Sequence, residues 1–400
     1  MIRRDYLIVG AGMGGASVCE GIRQYDGKGS VMLVGAESVP AYPRPAAFNG
    51  LLGGKMPEGG ELAYLDEAWF EKEHIDLRLA TQITQMDLDR RIAVLGTGQA
   101  VEFRKACFAT GGRARRLPVA GAALGNVFYL RTIRDILALY EVASQESTIA
   151  VVGGGCVAAH AAALLSQFPK AHVTLVHRGK YLWGRRLDEE TAAWLTAYYA
   201  TRGVRMIMGE TLNGFEGRTV LKNIQTKSGL RVPAGLAVAA LGVDLNLALV
   251  NGTPLSYPHG TPVNDFLETD EKGIFAVGEI AAYPDRLFGI LRRLEDVKGV
   301  VAQGHLAGAN LTGKKRQRFE WVPTQTRLVF DLRFDFVGDF SRPPNRVELE
   351  GDREKKEFLL RYYQFDQLMG LVLCNQPAEA VERARMEVFN RPKETKKRAA

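Results

Sequence analysis

The chain has 400 residues, room for two or three domains that each bury a core. A content of 46% hydrophobic and 24% charged residues excludes a disordered or fibrous protein, and no apolar run approaches a membrane span. The net charge of +7 comes from dispersed basic groups with no recognition motif beside them, which argues against nucleic-acid binding.

The start, Met1-Ile-Arg-Arg-Asp-Tyr6, is basic and then apolar like a leader, but its short apolar run flows into a glycine loop and reads as a strand. That loop, Tyr6-Leu-Ile-Val-Gly10-Ala-Gly12-Met-Gly-Gly15, has the strand, turn and helix start of a dinucleotide-binding fingerprint. Gly10 permits the turn, Gly12 lets a pyrophosphate approach the backbone, and the following helix supplies unpaired N–H groups. A second strand, Val31 to Val34, leads to Glu37, about 20 residues on, where a carboxylate is expected to meet an adenosine ribose.

The second half repeats this plan. Ile149-Ala-Val-Val-Gly153-Gly-Gly155-Cys-Val-Ala158 is another fingerprint, with alanine at the third position, a replacement the pattern allows. Its second strand, Val173 to Val176, ends in His177-Arg178-Gly-Lys180 instead of an acid. Arg178 offers charge-assisted bonds to a 2′-phosphate, so NADPH is favoured over NADH. Two fingerprints, each in the right context, imply two dinucleotide sites.

After Trp321 the pattern changes to short segments: Leu328 to Val337, Val347 to Glu350, Glu357 to Tyr363 and Leu368 to Cys374, then a helical run from Ala378 to Asn390. The basic stretch from Lys393 to Ala400 has no apolar periodicity and is expected to fray. Cys19, Cys107, Cys156 and Cys374 are scattered, which fits a reducing cytoplasm and excludes a vicinal redox disulfide; the dispersed histidines suggest no metal site.

These motifs, in this order, resemble the FAD-dependent pyridine nucleotide-disulfide oxidoreductase superfamily, in its ferredoxin reductase, rubredoxin reductase and apoptosis-inducing factor-like branch. Ala41-Tyr42-Pro-Arg44-Pro45 is similar to the family's flavin segment, and Phe108-Ala109-Thr110-Gly111-Gly112 to its A-T-G crossover. Ala240-Leu-Gly242-Val-Asp-Leu-Asn246 is similar to its G-x-x-P-N strand end. Gly273 to Glu279 is similar to its second flavin motif, and Arg293-Leu-Glu295 with Gln303-Gly304 to the segment under the isoalloxazine.

The resemblance implies an α/β fold with two Rossmann-like domains plus a small α+β C-terminal domain. Residues 1–115 and 250–325 would bind FAD, 116–249 NAD(P), and 326–400 would close the chain. It implies FAD contacts at Gly10, Gly12, Gly15, Glu37, Arg44, Ala109, Thr110, Gly111, Gly278 and Glu279. NAD(P)H contacts fall to Gly153, Gly155, Ala158, His177, Arg178 and Gly242. The implied chemistry is hydride transfer from NAD(P)H to flavin, then electron release to a ferredoxin- or rubredoxin-like protein. A small acidic iron–sulfur partner would suit basic groups at Arg113, Arg115, Arg116, Arg185, Arg186, Arg292, Arg293 and Lys314 to Arg318. A homodimer is left open.

Four departures cluster where the family's flavin meets nicotinamide. Asn49 stands where the family has a lysine, His160 where it has a glutamate, and Glu279 where it has an aspartate. Pro323-Thr-Gln-Thr-Arg327 replaces an aromatic segment, with Trp321 the nearest aromatic. His160 is therefore the catalytic candidate. The departures keep two alternatives open: a flavin-bearing binding or scaffold subunit with little turnover, and a reductase of a quinone-type small oxidant. No cysteine lies between Arg44 and Lys55, where the family's peroxide and coenzyme A disulfide reductases carry theirs.

Overall fold

The computed structural model describes residues 1–52, 62–253 and 255–391. Lys55 and the basic stretch from Lys393 lie outside them. The chain divides into two units: residues 1–47, 57–113 and 244–321 form the first, and 48–56, 114–243 and 322–400 the second.

The first unit is organised by a sheet whose central strand is Ile2–Val9, flanked in parallel by Val31–Val34 and by Ala100–Phe108. Continuous burial of Tyr6 to Val9 and of Val31 to Val34 fits strands covered on both faces. Ile75–Arg78 extends the sheet on one side, while Ile274–Ala276 returns from far along the chain to pair in parallel with Ala100–Phe108. The fingerprint helix Met13–Arg23 packs almost backbone to backbone on the helix Val297–Thr312. Glycine makes that approach possible, since a Cβ on Gly21 would sit 2.2 Å from the His305 carbonyl oxygen and one on Gly308 2.3 Å from that of Val18. The pair is pinned by Glu20, which takes the Tyr64 hydroxyl at 2.5 Å and meets His305 Nε2 at 2.9 Å.

The second unit contains a fully parallel sheet in the order Arg205–Met208, His172–His177, Thr148–Val152, Leu236–Ala239, Val127–Phe128. It also contains the C-terminal antiparallel sheet, ordered Thr324–Val329, Leu332–Gly338, Gln367–Cys374, Glu357–Gln364, Arg346–Asp352, with the helix Ala378–Phe389 against it. Instead of standing apart as a third compact unit, this sheet is joined to the helix Glu189–Thr201 and the loop before it. Tyr362 donates to Asp188 at 3.0 Å, Arg353 donates to Thr191 at 2.9 Å, and Trp183 meets Phe334 and Phe336 edge-on. The run Leu328 to Val337, which reads as one segment, is a hairpin in the fold. Phe330 adopts a left-handed φ of 54°, and Arg327 pairs with Phe334 across the turn.

Candidate active site

In the first unit the glycine loop leaves the central strand with Gly10 at a φ of +112°, where a Cβ would fall 2.3 Å from the Ala109 carbonyl oxygen. Gly10 and Ala109 are thus brought together, as the sequence expects of two flavin segments. Gly15 is just as constrained, since its Cβ would lie 1.9 Å from the Gly10 carbonyl oxygen. Gly12 is different: a Cβ there would meet nothing within 4 Å, and the helix it caps has no side-chain cap. A bare helix start above an open glycine is a cradle for a pyrophosphate.

Three distant segments complete this end of the sheet. Thr110 and Asn246 exchange hydrogen bonds, Thr110 Oγ1 to the Asn246 carbonyl and Asn246 Nδ2 to the Thr110 carbonyl, both at 2.9 Å. Asn246 N also donates to the carbonyl of Gly111, whose φ is +57°. The strand Ile274–Ala276 delivers Gly278, whose N–H donates to Gln303 Oε1 at 2.6 Å, and after it Glu279. Gln303 is fully buried, and its Nε2 has no hydrogen-bond partner among the described residues. An orphaned buried donor beside an uncapped helix start fits a ligand rich in acceptors, as FAD is.

Glu37 and Arg44 meet each other directly. Arg44 Nη2 reaches Glu37 Oε1 at 2.6 Å, and the Tyr42 hydroxyl donates to Glu37 Oε2 at 2.7 Å. Burial acts to lower the Arg44 pKa, but the charges of Glu37 and Glu279 and the Tyr42 hydroxyl outweigh it and raise it. A ribose hydroxyl on Glu37 would share a carboxylate already held in place. Trp321 packs on this unit, against Gly299.

The second fingerprint repeats the local geometry within its own unit. Gly153 has a φ of +140° and its Cβ would lie 2.4 Å from the Ala240 carbonyl oxygen, while Gly155, heading the helix Cys156–Leu165 without a side-chain cap, is again open. Ala158 is fully buried and fits where the first loop demands Gly15. Gly242 has a φ of +101° and open space around its Cα, and its carbonyl accepts from Arg115 N.

His177 does not reach outward as a ribose ligand would. Its ring lies against the loop, so that a Cβ on Gly154 would be 2.2 Å from it and one on Gly179 2.5 Å. Burial, then Arg178 and Arg185, lower its pKa. Arg178 is exposed and pairs with no carboxylate among the described residues, whereas Lys180 is tied to Glu189 at 2.6 Å.

His160 sits five residues past Gly155, mostly buried, its ring edge-on to Phe48 with centroids 5.0 Å apart. Burial and the nearby Arg327 guanidinium push its pKa down to about 4. The ring is therefore neutral at ordinary pH. Sequence reading names both His160 and the Arg327 segment without joining them, because only the packing of the helix on the strand Thr324–Val329 brings them together. Among the basic groups, Arg292 is no docking charge: it forms an ion pair with buried Asp285 at 2.5 Å.

The family described as pyridine nucleotide-disulphide oxidoreductase matches residues 4–306. The chain belongs to this family. Its ferredoxin/rubredoxin reductase-like branch comprises FAD-dependent NAD(P)H oxidoreductases. The chain is 29% identical to putidaredoxin reductase of Pseudomonas putida over 94% of its own length and 89% of that protein's. It is also 29% identical to a peroxisomal monodehydroascorbate reductase of Arabidopsis thaliana, over 84% of this chain and 72% of the relative. The fold superposes on putidaredoxin reductase in its covalent complex with putidaredoxin with a TM-score of 0.91 at 26% identity, covering 97% of this chain and 94% of the other. Among the described residues no helix is long and apolar enough to cross a membrane, and no cluster of acids, histidines and cysteines is arranged to hold a metal.

Proposed function

We propose that this reductase takes electrons from NADPH in preference to NADH and passes them through FAD to a small acidic iron–sulfur or rubredoxin-like protein. The observation that carries the nucleotide preference is the strand end at His177, where Arg178 and Arg185 flank one neutral ring and Arg178 has no carboxylate partner among the described residues. A 2′-phosphate would supply the missing negative charge, and a 2′-hydroxyl would not. An acid in place of His177 would have the opposite effect.

Bound flavin supplies the conversion from hydride transfer to single-electron release. The chain's part is to bind and orient. Gly12 and Gly155 leave their helix starts open to pyrophosphates, and Glu37, held by Arg44 and Tyr42, accepts a ribose hydroxyl. Gln303 Nε2 offers a buried donor, and the neutral ring of His160 presents one N–H and one acceptor nitrogen without adding charge.

Support for the protein acceptor comes from putidaredoxin reductase and from the exposed run Lys314 to Arg318. There Lys315 and Arg316 lie over the rings of Tyr25 and Phe266, so neither charge is cancelled by those contacts. Such a patch would draw in an acidic partner. A second reading, reduction of a small oxidant, is favoured by the polar strand at Gln325 and Arg327 and by the monodehydroascorbate reductase relative.

Anaerobic stopped-flow mixing with NADPH and with NADH tests the proposal. Faster flavin bleaching by NADPH, lost in Arg178→Ala, supports the nucleotide preference, and equal rates that Arg178→Ala leaves unchanged refute it. Reduction of an acidic ferredoxin that is insensitive to salt would count against docking through the Lys314 to Arg318 run.

A further inference from the structure

We infer that Trp183 and Tyr199 are positioning residues for the second glycine loop, and that through them the C-terminal sheet sets how tightly a dinucleotide's pyrophosphate is held. The inference rests on the reading of that loop as the nucleotide site, and not on which nucleotide or electron acceptor is used.

Trp183 reaches the loop just before its open glycine. Its backbone N–H donates to the carbonyl of Gly154 at 3.3 Å, while the His177 ring lies where a Cβ on Gly154 would be, 2.2 Å away. The Trp183 backbone has a left-handed φ of 56°, a conformation that a bulky residue keeps only where its surroundings hold it. Here the indole does the holding. It is buried, edge-on to Phe334 with centroids 5.3 Å apart and to Phe336 at 5.7 Å.

Tyr199 reaches the same segment from beyond it. Its hydroxyl donates to the Ala159 carbonyl at 2.9 Å, and Ala159 N in turn donates to the carbonyl of Gly155 at 3.0 Å. The Tyr199 ring is fully buried and edge-on to Phe330, with centroids 5.0 Å apart. Phe330 forms the turn of the hairpin whose second strand carries Phe334 and Phe336, so one hairpin is tied to both ends of residues 154–159. Helix-start N–H groups hold a pyrophosphate only when fixed to within about 0.5 Å of the productive geometry, and these two ties supply that constraint. The first loop is held differently: Ala11, which matches Gly154, faces Gly35, whose Cβ would lie 2.4 Å from the Ala11 methyl.

The test is calorimetric titration of NADP+ and of NAD+ into the full-length oxidised flavoprotein, paired with the limiting rate of flavin bleaching by saturating NADPH and NADH. Tyr199→Phe removes one oxygen and keeps the ring; it should raise the Kd roughly two- to tenfold and leave the limiting rate unchanged. Trp183→Ala should raise the Kd by about tenfold, and Trp183→Phe, which keeps an aromatic edge, should recover most of that loss. Trp183→Gly frees the left-handed backbone but deletes the indole, so it should weaken binding as Trp183→Ala does. Tyr199→Phe stands in if the Trp183 variants fail to fold. Val388→Ala, buried in the helix against the same sheet, is the control for mere loosening: it should lower the thermal midpoint and leave the Kd unchanged. A wild-type Kd in Tyr199→Phe and Trp183→Gly, or an equal rise in Val388→Ala, overturns the inference. A wild-type protein that binds neither nucleotide would overturn the reading of the loop itself, and the inference with it.

Discussion

The two glycine loops have the same backbone plan, yet they tolerate different residues and end in different chemistry. In the first, Gly15 lies so close to the Gly10 carbonyl that no side chain fits, while in the second Ala158 occupies the equivalent place. The first ends at Glu37, an acid held by Arg44 and Tyr42, and the second at His177, a neutral ring pressed on its own loop between two arginines. The shared part, an open middle glycine heading an uncapped helix, is what any dinucleotide pyrophosphate needs. What differs is the strand end, an acid in the first loop and a histidine beside arginines in the second.

The hardest way to break this comparison is Gly15→Ala. The clash at 1.9 Å involves backbone, so it must be relieved by moving the loop or helix. We expect a loss of roughly 3 kcal/mol or more in stability and most of the bound flavin, read from the thermal midpoint and the flavin-to-protein absorbance ratio. The reverse change, Ala158→Gly, should cost only about 1 kcal/mol, the ordinary penalty of glycine in a helix, and leave flavin content intact.

Arg178→Ala sharpens the contrast between the strand ends. The rate of flavin reduction by subsaturating NADPH should fall by roughly ten- to a hundredfold, with NADH nearly unaffected, since one charge-assisted phosphate contact contributes roughly 1.5–3 kcal/mol. Glu37→Gln should instead weaken flavin retention and leave the NADPH to NADH ratio unchanged, as measured by flavin release on dilution.

His160 gives a pH-dependent test. Its folded pKa of about 4 lies below the unfolded value near 6.5, so the unfolded chain binds the extra proton first. Its contribution is therefore neutral above about pH 6.5 and destabilising as pH falls towards 4, by at most on the order of 3 kcal/mol. His160→Gln should remove that component, and denaturant midpoints of both proteins at pH 7.5 and pH 5 would show it. An unchanged difference between the two pH values would mean the ring is not held neutral.

The smallest expected effect is at the basic run. Lys315→Gln with Arg316→Gln should slow reduction of an acidic ferredoxin a few-fold at low salt and not at high salt, because exposed charges act over about a Debye length.

Both fingerprints, the strand ends at Glu37 and His177 and most of the C-terminal strands were legible because each depends on neighbours in sequence: a glycine's φ, a helix start, an alternation of apolar residues. The hairpin at Phe330 was missed because its turn carries no glycine or proline, and Phe330 holds a left-handed φ under tertiary constraint. The union of the C-terminal sheet with the helix Glu189–Thr201 was also hidden, since Tyr362–Asp188 and Arg353–Thr191 link residues far apart in the chain.

The sequence by itself determined that there are two dinucleotide cradles and that their strand ends carry opposite charge character, since those properties are local to a few residues. Only the tertiary structure decided that Arg44 holds Glu37, that Asn246 clasps Thr110, and that Arg327 and Arg186 share one oxygen beside His160. The physical reason is that charge and hydrogen-bond balance belong to groups within a few ångströms of one another, and sequence separation does not report that distance.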